Sequence, residues 1–219
     1  MKSFNAKKLF KSKGQSFIEL ALVFMILMLL FAGVVELGNL INIYLDIIDS
    51  AREAARYANA VSLYKVDPVS GAKYIGEDVY DKSAQVAWAT LNPACTLLLP
   101  SKPGAANCPP NEMKIDFDPT TDDIVISILS YDGSTLLRFP SAGWSRFGNH
   151  TSTVSDGDII TNLDPSAPNT GLVLVEIFYD YNQLLGMPFF TDVLPDPIPV
   201  HAFSIMPYPG AEPTPTPLP

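Results

Sequence analysis

"QSFIELALVFMILMLLFAGVVELGNLINIYLDIIDSAREAARYANAVSL", Gln15 to Leu63, decides the fold, because one helical period runs through two different solvents. From Phe17 to Val35 the residues are apolar almost without interruption, Glu19 and Gly33 excepted. That length is what a helix needs to cross the roughly 30 Å hydrocarbon core of a bilayer. Beyond Glu36 the apolar residues thin to Leu37, Leu40, Ile41, Tyr44, Leu45, Ile48, Ala51 and Ala55. Their steps of three and four are those of an amphipathic helix. "SAREAARYANA" (50–60) continues it with strong helix formers. One helix over 15–63 is expected, about 70 Å long, transmembrane over 15–36 and amphipathic over 37–63.

Charge is segregated around this helix. Residues 1–14 form a basic leader with five lysines (Lys2, Lys7, Lys8, Lys11, Lys13) and no acid. The whole chain of 219 residues carries net −9, so the part after the leader is −14. A basic start before an apolar helix puts the amino end in the cytoplasm and the rest outside, a single-pass arrangement in the cytoplasmic membrane. The acidic bulk argues against a nucleic-acid partner, whose phosphates it would repel.

The remainder reads as an extracytoplasmic α+β domain over 64–207, followed by a Pro-rich disordered tail over 208–219. "YKVDPVSGAKYIG" (64–76) is a loop by its Pro and Gly, and "EDVYDKSAQVAWATL" (77–91) a second helix. Strands are expected at "MKIDFD" (113–118), "DIVISILSY" (123–131), "STLLRF" (134–139), "GLVLVEIFYDYN" (171–182) and "IPVHAFSIMP" (198–207). Asp132-Gly133 marks a hairpin turn. Residues 140–170 form a turn-rich excursion with a short element around Ile159. Cys95 and Cys108, the two cysteines, lie on the exported side, where oxidation would allow a disulfide; two free, buried thiols are the alternative. The fold class is α+β: the long helix packs its amphipathic half on a small antiparallel sheet, with the second helix alongside.

Glu19 is the residue that needs a reason. A carboxylate within a membrane helix costs about 2.5–3.5 kcal/mol on insertion scales. Snorkelling to the interface is one account. Cleavage after Gly14 gives another: it creates an α-amino group at Gln15, cationic near neutral pH, one helical turn from Glu19. A neighbouring subunit shifted along the axis would bring a second such amine within reach.

"KSKGQSFIELALV" (11–23) resembles the class III signal of type IV pilin-like proteins: basic leader, Gly, then a hydrophobic run with Glu at its fifth residue. Those pilins usually place Phe directly after the cut, where this chain has Gln15. The core Glu19-Leu20-Ala21-Leu22-Val23 is more similar to the TadE-like pseudopilins of tight-adherence (Flp) pilus systems. Ala51-Arg52-Glu53-Ala54-Ala55-Arg56 resembles that family's helix continuation, and "VLVEIFYDYNQLLG" (173–186) with "PVHAFSIMP" (199–207) its carboxy-terminal paired strands. The family usually has Arg after the final Met; Pro207 stands here.

The resemblance implies processing by a prepilin peptidase between Gly14 and Gln15, with Glu19 needed for assembly. It implies other pilins or pseudopilins and a Tad membrane platform as partners, no cofactor, and a structural role in pilus assembly, secretion or adhesion. The large domain favours a minor subunit over the main filament. An uncleaved, signal-anchored extracytoplasmic binding domain is the alternative, and a secreted hydrolase a third reading. His150 and His201 are far apart in sequence, and no nucleophile elbow, HExxH helix or phosphate loop occurs, so no enzyme is expected. "DFDPTTDD" (116–123) and "SDGD" (155–158) read as solvated turn acids, with calcium as the alternative. "YDYN" (179–182) reads as core packing, and the glycosylation triplet Asn149-His150-Thr151 as chance.

Overall fold

The computed structural model describes residues 9–62, 64–69, 71, 73–93, 115–163, 170–186 and 195–208. Helix α1 runs unbroken over Leu9–Ala60, 52 residues or about 78 Å. The first proline is Pro68, so nothing before it removes a helical hydrogen bond. α1 therefore begins six residues earlier than expected, inside the leader, and ends three earlier.

The stretch expected as plain loop contains a small hairpin, β1 (Tyr64–Val66) and β2 (Lys73–Ile75), paired antiparallel. Asp67 closes its turn by accepting from the Val69 N–H at 2.8 Å. Three-residue strands are too short to show alternation, which is why the sequence reads as loop. Helix α2 spans Glu77–Leu91 as expected, with Glu77 and Asp78 opposing the positive end of its dipole. Lys65 reaches Asp78 at 2.6 Å and ties the hairpin to α2.

Four strands form the main sheet: β3 (Asp123–Tyr131), β4 (Leu136–Ser145), β5 (Thr170–Tyr181) and β6 (Ile198–Tyr208), in order β4-β3-β5-β6, every neighbour antiparallel. β3 and β5 are central and buried on both faces. Ile124, Ile126 and Ile128 of β3 and Val173, Val175 and Ile177 of β5 face the helices. Against them lie Ile47, Ala51, Ala54, Ala55 and Ala58 of α1 and Val79, Ala84, Ala87 and Leu91 of α2. The alanines let backbone approach backbone, and the Ser50 hydroxyl donates to the Ala87 carbonyl at 2.7 Å across the two helices. On the other face Leu129, Tyr131, Leu136, Leu172 and Leu174 pack on Ile159 of a short helix α3 (Asp156–Thr161).

Two strand expectations need correction. Residues 115–118 are not a strand. Ile115 and Phe117 are buried as the alternation requires, but their backbone is held by side chains: Ile115 N–H donates to Asn92 Oδ1 at 3.2 Å and Asp118 N–H to Asp122 Oδ2 at 2.7 Å. β4 runs past Pro140, because an irregularity absorbs it: Ile128 pairs Phe139 while Ile126 pairs Trp144. Tyr208 also belongs to β6 and not to the tail. Cys95, Cys108 and residues 209–219 lie outside the described residues.

Candidate functional site: the anchor helix and its junction

The two halves of α1 meet different surroundings. Phe17, Ile18, Leu20, Leu22, Val23 and Phe24 are all exposed, and no part of the most apolar stretch packs on the head. In water such a surface would be strongly unfavourable; in lipid it is the expected one. Glu19 stands on this exposed half, and the Gly14–Gln15 bond falls in the second turn of the same helix.

Past Glu36 the helix is apolar on two sides. The side toward the head is buried at Ile47, Ala51, Ala54, Ala55 and Ala58, with Leu40, Ile43 and Ile48 partly so. Leu37, Ile41, Tyr44 and Leu45, expected on one stripe with these, are exposed instead. The head is a single layer of sheet beside α2 and covers only one flank. The pattern Ala51-Arg52-Glu53-Ala54-Ala55-Arg56 now has a physical reading: its alanines face the head, and Arg52, Glu53 and Arg56 face outward.

Where the halves meet, the sequence reading missed a residue. Glu36 is buried, and its carboxylate accepts from the Tyr181 hydroxyl at 2.7 Å, Leu184 N–H at 2.9 Å and Leu185 N–H at 3.0 Å. Asn39 Nδ2 donates to the same Tyr181 oxygen at 2.9 Å. One carboxylate thus locks the end of β5 to the helix, 145 residues away in sequence. Its position directly after the apolar run was the available signal. Tyr181, read as core packing, is fully buried, and burial pushes its hydroxyl pKa up.

The opposite sheet face carries a second polar network. Glu176 is fully buried on β5 and accepts from the Ser152 hydroxyl, Thr153 N–H at 3.0 Å and Val154 N–H at 3.2 Å, with His201 Nε2 at 3.2 Å. Burial pushes its pKa up, but hydrogen bonds from His201, Ser152 and Thr153 outweigh that and leave it below the usual carboxylate value. Arg138 extends the network to Ser152, the Val154 carbonyl at 2.7 Å and Asp156 at 2.6 Å. The distant histidines come together after all: His150 and His201 stack on either side of Phe178, at 4.4 and 4.5 Å between ring centroids.

Of the acids expected as solvated, Asp116, Asp118, Asp156 and Asp158 are exposed, whereas Asp122 and Asp123 are buried and serve as loop anchors. Asp123 accepts from Phe147, Asn149 and His150 N–H groups at 3.0, 2.9 and 2.8 Å. Asp122 takes the Asp180 N–H at 2.8 Å, and burial raises its pKa. With Asp122 and Asp116 nearby, burial also pushes Tyr179 up to about 12. In "SDGD", Ser155 caps α3 and Asp156 pairs with Arg138. Among the described residues no three His, Cys, Asp or Glu side chains gather to hold a metal. Asn149 spends its amide on the Pro119 and Asp122 carbonyls, at 2.9 and 2.8 Å.

A comparison with protein families matches residues 14–56 to the family described as TadE-like protein. The similarity falls on the anchor helix of this chain. The matched segment holds Gly14, Gln15, Glu19 and Glu36 and stops four residues before α1 ends, so the similarity belongs to the helix and not to the head. No curated protein and no solved structure matches the chain. The match to this family over the helix supports a pilus-related membrane protein, and the helix is long and apolar enough for a single-pass anchor.

Proposed function

We propose that the chain is a minor pseudopilin, a structural subunit of a Tad-type pilus or related secretion assembly. The observation that carries this is the coincidence of the TadE-like match with a helix whose first half is apolar, exposed and interrupted by Glu19. The leader is removed by a prepilin peptidase between Gly14 and Gln15. The new amine of one subunit then meets Glu19 of another, which turns a costly buried charge into a register device. The head stands outside the cytoplasmic membrane, and the Tad platform and other pilins or pseudopilins are its partners.

The protein works without catalysis or cofactor. Asp122 and Asp123 are committed to backbone and hydroxyl donors, and Glu176 to these and to His201, which supports a scaffold role for all three. The test is the amino-terminal sequence of the mature protein from its host's membranes. A start at Gln15 is expected. A start at Met1 would favour an uncleaved anchored binding domain, and a start beyond Gly33 a secreted protein.

A further inference from the structure

Glu36 marks a level on α1 as well as a contact. Phe17 to Glu36 is about 29 Å at 1.5 Å per residue, the thickness of a bilayer's hydrocarbon core. Whatever Glu36 holds is therefore held at the membrane boundary. It holds the turn after β5, through the N–H groups of Leu184 and Leu185. β5 ends at Tyr181 beside Glu36 and β6 begins at Ile198 opposite Tyr181, so this end of the sheet faces the bilayer.

The turn is built as a segment entering lipid must be. Backbone donors there need partners within the protein. Leu184 and Leu185 donate to Glu36, and the preceding Gln183 N–H donates to Asp196 at 3.2 Å. With these three donors satisfied, the side chains turn outward: Leu184 is 61% and Leu185 42% exposed. They continue the exposed apolar surface of α1 sideways, from the helix to the head.

We propose that the Leu184–Leu185 turn is a second membrane contact, seated in the interfacial layer of the same bilayer that α1 spans. It fixes the tilt of the head over the membrane, which one helix alone leaves free to rotate. The partner is the lipid surface through its apolar layer and not its charge, because the acidic head is repelled by anionic headgroups. The inference rests on α1 crossing the membrane, so its test must report on both.

The full chain is reconstituted in phosphatidylcholine vesicles with photoreactive benzoylphenylalanine replacing Leu184, Phe24 or Val69, one at a time. Val69 is 94% exposed on the β1–β2 turn, beyond the far end of α1. After illumination, mass spectrometry counts lipid adducts. Adducts at Phe24 and Leu184, with at least tenfold fewer at Val69, are expected. Adducts at Phe24 but none at Leu184, or Leu184 adducts to a second copy of the chain, would overturn the second contact and leave the anchor standing. Equal adducts at Leu184 and Val69 would also overturn it. No adducts at Phe24 would sink the anchor and the inference together.

Discussion

The two halves of α1 are built from one helical period and put to opposite uses. From Ser16 to Val35 the helix is apolar almost all round and none of its residues is buried; after Glu36, one flank is sealed by sheet and α2 while another apolar flank stays open. The difference teaches that an apolar residue on this helix says nothing by itself about stability. What decides is whether the head reaches it. Ile41 and Ile47 lie less than two turns apart, yet Ile41 is 57% exposed and Ile47 fully buried.

Substituting that pair tests the contrast most strongly. Ile47→Ala opens a cavity between α1 and the sheet and should cost about 2–5 kcal/mol. Ile41→Ala should change stability by less than about 0.5 kcal/mol. Thermal unfolding of the full chain in detergent reads both. Equal losses would mean that the two flanks are not distinct.

The junction comes next. Glu36→Leu leaves the Tyr181 hydroxyl and two backbone N–H groups without their acceptor, which should destabilise the head by about 1–3 kcal/mol. Faster amide exchange at Leu184 and Leu185 should accompany it. Unchanged exchange would show that the turn is held by something other than Glu36.

How much of this was legible follows the range of each interaction. α2, β3, β5 and β6 declare themselves through local periodicity, and the structure places them where the pattern does. The TadE-like segment is legible for the same reason, since Gly14 and Glu19 are five residues apart. The Glu36–Tyr181 bond spans 145 residues, and no local pattern encodes it. Phe117 misleads in the other direction: it alternates like a strand residue, but its burial comes from Trp88, Phe147 and Tyr179 rings at 5.7, 5.8 and 6.1 Å. The split stripe of α1 was illegible because it depends on the width of the head.

The outer sheet face gives a pH-dependent test. Glu176 has a folded pKa below its unfolded value, so its contribution is complete above the ordinary carboxylate pKa of about 4.3. It is lost as pH falls through the folded value. Asp122 has the opposite sign: burial raises its pKa, and acidification relieves it. Glu176→Gln should therefore cost about 1 kcal/mol near neutrality, and the gap to wild type should close below about pH 4. Unfolding temperatures measured across that range check this. A gap independent of pH would mean that the carboxylate's charge contributes nothing beyond its shape.

The smallest effect is expected on the outward side of α1's packed half. Asp49 and Arg52 pair at 3.0 Å, but both side chains are about two-thirds exposed (67% and 62%). Water already solvates both charges, so the pair gains little Coulomb energy and gives up side-chain freedom. Asp49→Asn should shift stability by less than about 0.5 kcal/mol, and less still in high salt. Measured in the same detergent as Ile47→Ala, it sets the floor against which the buried flank is read. A loss above 1 kcal/mol would mean that this outward face is covered in the purified protein. The arginines of the Ala-Arg-Glu-Ala-Ala-Arg stretch would then be contact residues, and the open flank beside them an interface already filled.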